Sequence, residues 1–410
     1  MTDVAVYVDI SGDSVPVGDL HSMVRHRRLS STFSYAAPYL SHPRAYALEP
    51  ALPLVLGPQH TAQGIPRSFQ DAAPDRWGRN LIAKRERAVA ARDKTPPRTL
   101  DDLDYLLGVA DATRQGAMRF ANAAGEEFQH PSNDVPKLIA LPRLMRAADD
   151  AMADHPDESA LKMLLDAGTG SLGGARPKAS VTDGEQLLIA KFGHSADEWD
   201  VMRWEKTALE LADKAGVEVS AASLVDIAGR AVLLVERFDR NHGHRVGYIS
   251  VMTLLESDDG ETSDYLDIAD ALAAVSTQPE SDLPELWTRI ALSIALHNTD
   301  DHLRNHGLLR MKGGWTLSPA FDINPDPETH ARRTTIAGTD GPDDEARALV
   351  DAARLFGLTA ENVRARMTRV INAVSEWPIR AQSNRISNAE IERFTPSFTA
   401  GLNALAAAVP

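Results

Sequence analysis

The stretch that most constrains this chain runs from His297 to Pro325 and reads H-N-T-D-D-H-L-R-N-H-G-L-L-R-M-K-G-G-W-T-L-S-P-A-F-D-I-N-P. It sets Asp300, then Asn305, a short apolar run, the Gly313-Gly314 turn, a second apolar run and finally Asp322. The spacing predicts a hairpin built from Leu308-Leu309 and Trp315-Thr316-Leu317. An Asp, an Asn a few residues on and a second Asp beyond a hairpin are what phosphoryl transfer from ATP needs. One carboxylate accepts the substrate hydroxyl proton, while the amide and the other carboxylate hold Mg²⁺.

Two plainer readings fit the same loop. It follows an apolar helical stretch at 286–296 and can be a helix C-terminus with solvated polar residues, since a short motif is a hypothesis until its context is found. His297, His302 and His306, the last two at i and i+4, can also gather Zn²⁺, although no Cys and no H-E-x-x-H glutamate completes that set. Only the phosphoryl-transfer reading demands a glycine-rich loop and a lysine-bearing strand upstream.

Both are present. Residues 168–178, G-T-G-S-L-G-G-A-R-P-K, spell G-x-G-x-x-G and carry Gly170, Ser171, Gly173, Gly174 and Lys178. Glycines let a backbone approach phosphate oxygens with its N–H groups exposed, because no Cβ intervenes. A dinucleotide fold requires a strand before such a loop and a helix opening from it. Here a helix-like segment precedes, and Ala179-Ser180-Val181, Asp183-Gly184 and the run from Leu187 to Phe192 read as a hairpin. That is the order of a kinase N-lobe, with Lys191 on the second strand placed to pair the α/β-phosphates; the alternative for Lys191 is a strand-edge lysine in solvent. Residues 201–215 read as a helix whose Glu205 is the candidate to orient Lys191. Residues 230–238 read as a buried strand with a polar end, where a hinge offers backbone groups to adenine near Glu236 and Phe238, or where a core strand merely ends.

At 410 residues the chain has room for two or three domains. A hydrophobic share of 43% and a charged share of 25% describe an ordinary soluble protein. The net charge of −15 argues against a surface built wholly for nucleic acid, leaving local basic patches at 21–28 and 76–94 or a basic partner. With no Cys, disulfides, Cys-ligated zinc and thiol catalysis are excluded. The N-terminus lacks a basic start and an apolar core, and no apolar run reaches about 18 residues, so a cytoplasmic protein without a membrane partner is expected.

Residues 1–135 read as a separate small domain opening on a strand at Val4 to Val8, a turn at Ser11-Gly12-Asp13 and a returning strand at Val15 to Gly18. Pro74-Asp75-Arg76-Trp77-Gly78 reads as a Pro-initiated helix start with Trp as a packing anchor. A helix is expected at 101–107 and a strand at 118–120. Residues 121–136 read as a linker, followed by helices at 138–152 and 159–165. Beyond the hinge, 256–264 reads as an acidic loop. Helices are expected at 265–275, 283–296, 343–356, 359–377 and 388–408, with 375–387 an uncertain connection.

With these residues in view the chain resembles the HipA family of serine/threonine kinases, toxins of toxin–antitoxin modules. The resemblance rests on Pro74-Asp75-Arg76-Trp77-Gly78-Arg79, on Gly173-Gly174-Ala175-Arg176-Pro177-Lys178 and on Val235-Glu236-Arg237-Phe238-Asp239-Arg240. It rests further on Asn298-Thr299-Asp300-Asp301-His302-Leu303-Arg304-Asn305 and Leu317-Ser318-Pro319-Ala320-Phe321-Asp322. It implies Asp300 as the catalytic base, Asn305 and Asp322 on Mg²⁺, Lys191 on the ATP phosphates and Ser171 as an autophosphorylated serine that switches the enzyme off. His302 belongs to the catalytic loop and is expected to brace it rather than react. Arg304 stands where the family often has Lys, which keeps the charge but not the ammonium geometry.

The expected fold is α+β: a small N-terminal α/β domain at 1–135, then a protein-kinase-like bilobal body. Its N-lobe at 136–238 carries the glycine-rich loop and hinge, and its mainly α-helical C-terminal lobe at 239–410 carries the catalytic loop and the Mg²⁺-binding Asp322. The expected function is that of an ATP- and Mg²⁺-dependent serine/threonine protein kinase toxin acting on a cellular, translation-related protein. Its partners are a helix-turn-helix antitoxin, DNA only through that antitoxin, and the protein substrate. The alternatives are a small-molecule kinase on the same scaffold, or a non-catalytic subunit of a DNA-bound repressor complex.

Overall fold

Alternation of apolar residues along the first strand, with Val4, Val6, Val8 and Ile10 buried, sets one face of a sheet against a core. The computed structural model describes residues 2–125, 127–129, 135–153, 156–168, 176–328, 331–339 and 341–410, without the side chains of 342 and 343. It divides into two compact units: Met1–Ser195 with Leu234–Ile249, and Ala196–Leu233 with Ser250–Pro410.

In the first unit β1 (Thr2–Ile10), β2 (Asp13–Arg25), β3 (Arg28–Tyr35), β4 (Pro58–Thr61) and β5 (Met118–Ala121) form one sheet in the order β4-β3-β2-β1-β5. Every pairing in it is antiparallel. The expected turn between β1 and β2 is made by Ser11 and Gly12, both at positive φ. Phe33, Phe69 and Phe120 meet edge to face beneath the sheet at ring separations of 5.5 Å.

Helix α1 (Arg76–Arg92) starts where its N-cap, Asp75, accepts the Gly78 N–H at 2.9 Å. Helix α2 (Asp102–Leu107) opens on a capping box made by Asp101 and Asp104. Helices α3 (Leu141–Met152) and α4 (Glu158–Asp166) follow, α4 packing on both α1 and α3. The hairpin of β6 (Lys178–Asp183) and β7 (Gln186–Phe192) completes the unit's main elements.

The segment expected as a linker is anchored in its described part. Phe128 bridges to Ala121, packs edge-on against Tyr7 at 5.3 Å and lies under the Arg119 guanidinium at 3.6 Å. An aromatic residue with a cation over its face supplies the burial that the surrounding Gly, Asn and Ser residues lack.

The second unit is mainly helical. Helix α5 (Val201–Ala215) is bounded by an Asp200 N-cap and by Gly216 at φ 83°. The chain then runs through β8 (Ala222–Ile227) and β9 (Arg230–Glu236), and within β9 it passes into the first unit at Leu234. Helix α6 (Tyr265–Val275) leads to α7 (Pro279–Ala295), whose residues from Leu286 to Ala295 are all buried. The hairpin of β10 (Gly307–Met311) and β11 (Gly314–Leu317) has the expected register, Leu308 opposite Leu317 and Leu309 opposite Thr316.

Helices α8 (Pro342–Asp351), α9 (Ala360–Val374), α10 (Trp377–Ser383) and α11 (Asn388–Ala408) finish the unit. A Cβ on Gly401 of α11 would lie 2.3 Å from the Ile294 carbonyl oxygen, so glycine is what lets α11 lie backbone to backbone on α7. The uncertain connection at 375–387 is largely helical: Trp377 stacks on Phe398 at 4.4 Å while Trp204 stacks on Phe394 at 3.9 Å.

Candidate active site

The loop after α7 is held at nearly every residue. His297 takes a left-handed φ of 53°, and its Nε2 lies 3.0 Å from the Glu328 carbonyl oxygen. The Asn298 carbonyl accepts from Ser293 Oγ at 3.1 Å and from Arg332 Nη1 at 2.8 Å. Thr299 Oγ1 donates to Asp326 at 3.0 Å, and the Asp301 carbonyl accepts from Thr334 Oγ1 at 2.7 Å. Arg332 is buried, its Nε donating to Glu345 Oε1 at 2.6 Å and its Nη1 also to Ser293 Oγ at 2.7 Å.

Against that fixed backbone Asp300 is the one exposed residue between Asp282 and Arg310. Its Oδ1 lies 2.9 Å from Nε of the equally exposed Arg333. Asp301 points the other way and is buried, accepting from Tyr265 Oη and lying 3.0 Å from His306 Nε2. Burial alone would push the Asp301 carboxyl up, but the charge and hydrogen bond of His306 and the Tyr265 hydroxyl bring it down to about 2. Burial, and then the Asp301 charge, push the Tyr265 hydroxyl well up.

Asp301 thus helps brace this loop through the Tyr265 hydroxyl, with the His306 ring against its carboxylate. His302 Nδ1 is buried and has no hydrogen-bond partner among the described residues. His297 and His306 are engaged separately, and among the described residues no three His, Asp or Glu side chains gather into a metal-holding cluster.

Asn305 is buried below Asp300. Its Nδ2 donates to the Asp300 carbonyl oxygen at 3.2 Å, and its Oδ1 has no partner among the described residues. Beyond the hairpin Asp322 sits at φ 57°, a conformation costly for a residue with a Cβ. Asn324 Nδ2 donates to the Asp322 carbonyl oxygen at 3.2 Å and to its Oδ1 at 3.3 Å, and Asn324 Oδ1 is again buried without a partner among the described residues. Two orphaned amide oxygens and a carboxylate are hard oxygen donors of the kind Mg²⁺ takes, and an unsatisfied buried oxygen is costly unless something fills it. The donor chemistry therefore fits a magnesium site.

Of the residues expected on the nucleotide side, Lys178, Lys191, Glu236 and Phe238 lie in the first unit. Lys191 is buried on β7 directly opposite Lys178 on β6. Lys178 Nζ lies 2.6 Å from Asp75 Oδ2, both side chains buried, and Trp77 Nε1 donates to the Lys178 carbonyl oxygen at 3.2 Å. The Asp75-Arg76-Trp77 start is therefore a helix cap and packing anchor, and it is also an ion-pair partner of the strand that carries Lys178. Gly170, Ser171, Gly173 and Gly174 lie outside the described residues. Just before them Gly168 is at φ 65°, where a Cβ would meet Thr113 Oγ1 at 1.7 Å. Phe238 lies 6.1 Å from Tyr248, ring to ring, and Glu236 ends β9 half-buried. Glu205, in the second unit, is buried on α5.

A buried arginine seam was not anticipated from the sequence. After β9, Arg237 pairs with Asp239 at 2.5 Å and Arg240 pairs with the same carboxylate at 2.8 Å. Asp239 also accepts the Gly116 N–H at 2.8 Å. Arg237 donates to the Thr113 carbonyl oxygen at 2.6 Å, Arg240 to that of Arg114 at 2.8 Å, and Arg245 to that of Asp111 at 2.5 Å. The segment Leu234–Ile249 is thereby stitched to the loop at 110–116 within the first unit. Burial would push the Asp239 carboxyl up, but Arg237 and Arg240 hold it far below the usual carboxylate range. Burial pushes the Arg240 guanidinium down to about 9, leaving it protonated at neutral pH. The available signal was three charges crowded behind an apolar strand, which is unusual at a solvated strand end.

Residues 170–377 match the HipA-like C-terminal domain and residues 8–100 the HipA N-terminal domain. Shewanella oneidensis HipA, solved with HipB and its operator DNA, superposes with a TM-score of 0.64 at 14% identity, covering 98% of this chain and 96% of that one. A curated relative from Sinorhizobium fredii (strain NBRC 101917 / NGR234), described as "Putative kinase Y4mE", is 27% identical over 271 residues, 55% of this chain. The chain spans 61% of that relative's length. An α+β chain with this architecture has a kinase-like fold. It belongs to the HipA family.

Proposed function

We propose that this chain is an ATP- and Mg²⁺-dependent serine/threonine protein kinase. In this reading it acts in the cytoplasm as the toxin of a toxin–antitoxin pair and arrests growth by phosphorylating a translation-related protein. One observation carries the reading: Asp300 is the single exposed side chain on a loop whose neighbours are buried and bonded, with the orphaned Asn305 Oδ1 beneath it.

In this mechanism Asp300 accepts the proton of the acceptor hydroxyl as that oxygen attacks the terminal phosphorus. Arg332, Thr334 and the Asn305 amide hold the loop backbone still, so the carboxylate meets the hydroxyl without reorganising. Asn305, Asp322 and Asn324 are the residues that would hold Mg²⁺, which when bound supplies charge neutralisation to the nucleotide phosphates. Lys191 pairs the α/β-phosphates and Glu205 orients it. Backbone N–H groups at Gly170, Ser171, Gly173 and Gly174 cradle the nucleotide, and backbone groups near Glu236 and Phe238 take adenine. A phosphate on Ser171 adds a charge of about −1.5 to −2 beside those of ATP and switches the enzyme off.

The proposed antitoxin is a small helix-turn-helix dimer that supplies the basic DNA-reading surface a chain of charge −15 lacks. Support comes from the Shewanella relative, which was solved with HipB and its operator DNA.

Transfer of label from Mg-[γ-³²P]ATP to cell-lysate proteins tests the reading, with Asp300→Asn as control. Label on a lysate protein with the wild-type chain alone is expected. Label only in the small-molecule fraction would replace it with a small-molecule kinase. Intact mass after incubation with Mg-ATP reads Ser171.

A further inference from the structure

Three consecutive residues of one extended segment bond the backbone on either side of Asp300. Arg332 Nη1 donates to the Asn298 carbonyl oxygen at 2.8 Å, the Arg333 N–H to that of Thr299 at 3.2 Å, and Thr334 Oγ1 to that of Asp301 at 2.7 Å. The Asp300 carbonyl itself accepts from Asn305 Nδ2 at 3.2 Å. Every carbonyl from Asn298 to Asp301 is therefore held. Successive side chains of an extended segment point to opposite sides, and here Arg332 and Thr334 are buried while Arg333 between them is exposed. The Arg333 guanidinium is thereby delivered to Asp300, with Nε 2.9 Å from Oδ1. No other side chain among the described residues pairs with that carboxylate.

We propose that Arg333 is the positioning residue for Asp300, holding the carboxylate where it meets the acceptor hydroxyl. The inference rests on the reading of Asp300 as the base. An exposed carboxylate on a fixed backbone still rotates about its side-chain bonds, and a base that points elsewhere loses the geometry that proton transfer needs. An exposed ion pair adds little to folding, so this contact bears on direction rather than on stability. What separates Arg333 from an ordinary surface arginine is its N–H bond to Thr299, one residue before Asp300, with Arg332 and Thr334 fixing the backbone to either side. The guanidinium starts from a fixed point beside its partner, so less freedom is lost when the pair forms. Because the pair stays in water, it is weak enough to leave the carboxylate able to take the proton.

Initial rates of label transfer from Mg-[γ-³²P]ATP to a fixed amount of cell lysate, measured with the full chain over a range of ATP concentrations, test this. Arg333→Met should lower the saturating rate about tenfold, with the apparent KM for ATP changed by less than about twofold and the thermal melt unmoved. Arg333→Lys, which keeps the charge, should recover the rate to within about threefold of wild type. In an Asp300→Asn chain, Arg333→Met should cause no further loss, because the two residues act as one unit. An Arg333→Met chain that turns over like wild type overturns the proposal. So does an Arg333→Lys chain as slow as Arg333→Met, or a further loss of about tenfold in the Asp300→Asn chain, since Arg333 then acts on the acceptor or the nucleotide itself. Should the Asp300→Asn rate be too low to read a further loss, Arg333→Lys against Arg333→Met decides. A wild-type chain that labels nothing, or an Asp300→Asn chain as fast as wild type, is a separate failure, that of the proposed function.

Discussion

Arg332 Nη1 donates to the Asn298 carbonyl oxygen at 2.8 Å, two residues before the exposed Asp300, from a guanidinium whose Nε is held by Glu345 at 2.6 Å. The loop that carries Asp300 is thus hung from a buried ion pair. Arg332→Met should cost about 3–5 kcal/mol, because Glu345 stays buried without its partner. Combining it with Glu345→Leu should recover most of that stability but not the phosphotransfer rate, since the Asn298 carbonyl remains unheld. Urea unfolding and label-transfer rates on the two variants separate these effects.

Asp300 carries no packing. Asp300→Asn should leave stability within about 0.5 kcal/mol of wild type and lower turnover by roughly 10²- to 10⁴-fold. Mg-ATP binding should persist, as calorimetry would read. Asp322→Ala should abolish Mg-ATP-dependent turnover with the fold kept, and normal turnover in that variant would sink the kinase reading.

Gly168 cannot take a side chain as it stands. A Cβ there would fall 1.7 Å from Thr113 Oγ1 and 2.3 Å from Thr113 Cβ, and φ is 65°. Gly168→Ala should destabilise the chain by about 2–3 kcal/mol or more through overpacking and backbone strain together. A melt unchanged in that variant would show that Thr113 does not sit against Gly168.

Asp239 predicts a pH signature. Its folded-state pKa is depressed, burial opposing and Arg237 and Arg240 prevailing. Its stabilisation is therefore fully present above the unfolded carboxylate value of about 4, and is lost as pH falls below that toward the folded value. Asp239→Asn should be less stable than wild type by about 3–5 kcal/mol at pH 7, with the gap narrowing steadily below pH ~4. A gap independent of pH would mean that the carboxylate is not what the two arginines hold.

What the sequence made legible were features whose cause is local. The bounds of α5 follow from Asp200 before it and Gly216 after it, and the β10–β11 hairpin follows from two apolar runs about a Gly-Gly pair. Asp300, Asn305 and Asp322 were singled out as candidates because loop spacing is itself a local property. What stayed hidden depends on partners far along the chain. Lys178, read from the sequence as part of the nucleotide loop, meets Asp75 across 103 positions, and Arg237 meets Thr113 across 124; neither partner is visible from the local sequence. Glu205 is buried where the sequence offers no sign of what covers it, and Trp377 makes α10 a packed helix because Phe398 lies under it. Periodicity reports which face of an element is apolar. It does not report which charge the opposite element brings.

The arginine seam also has a consequence in time. Translation delivers a chain from its N-terminus at roughly 5–20 residues per second, so Ile249 leaves the ribosome on the order of 3–10 s after Ser195. Until then the carbonyls of Asp111, Thr113 and Arg114 and the N–H of Gly116 await donors and an acceptor that have not yet been synthesised. The first unit cannot close these bonds until the segment Leu234–Ile249 has emerged. Every newly made copy therefore passes through a window of seconds in which it is a half-closed nascent chain, open to chaperones or to a binding partner.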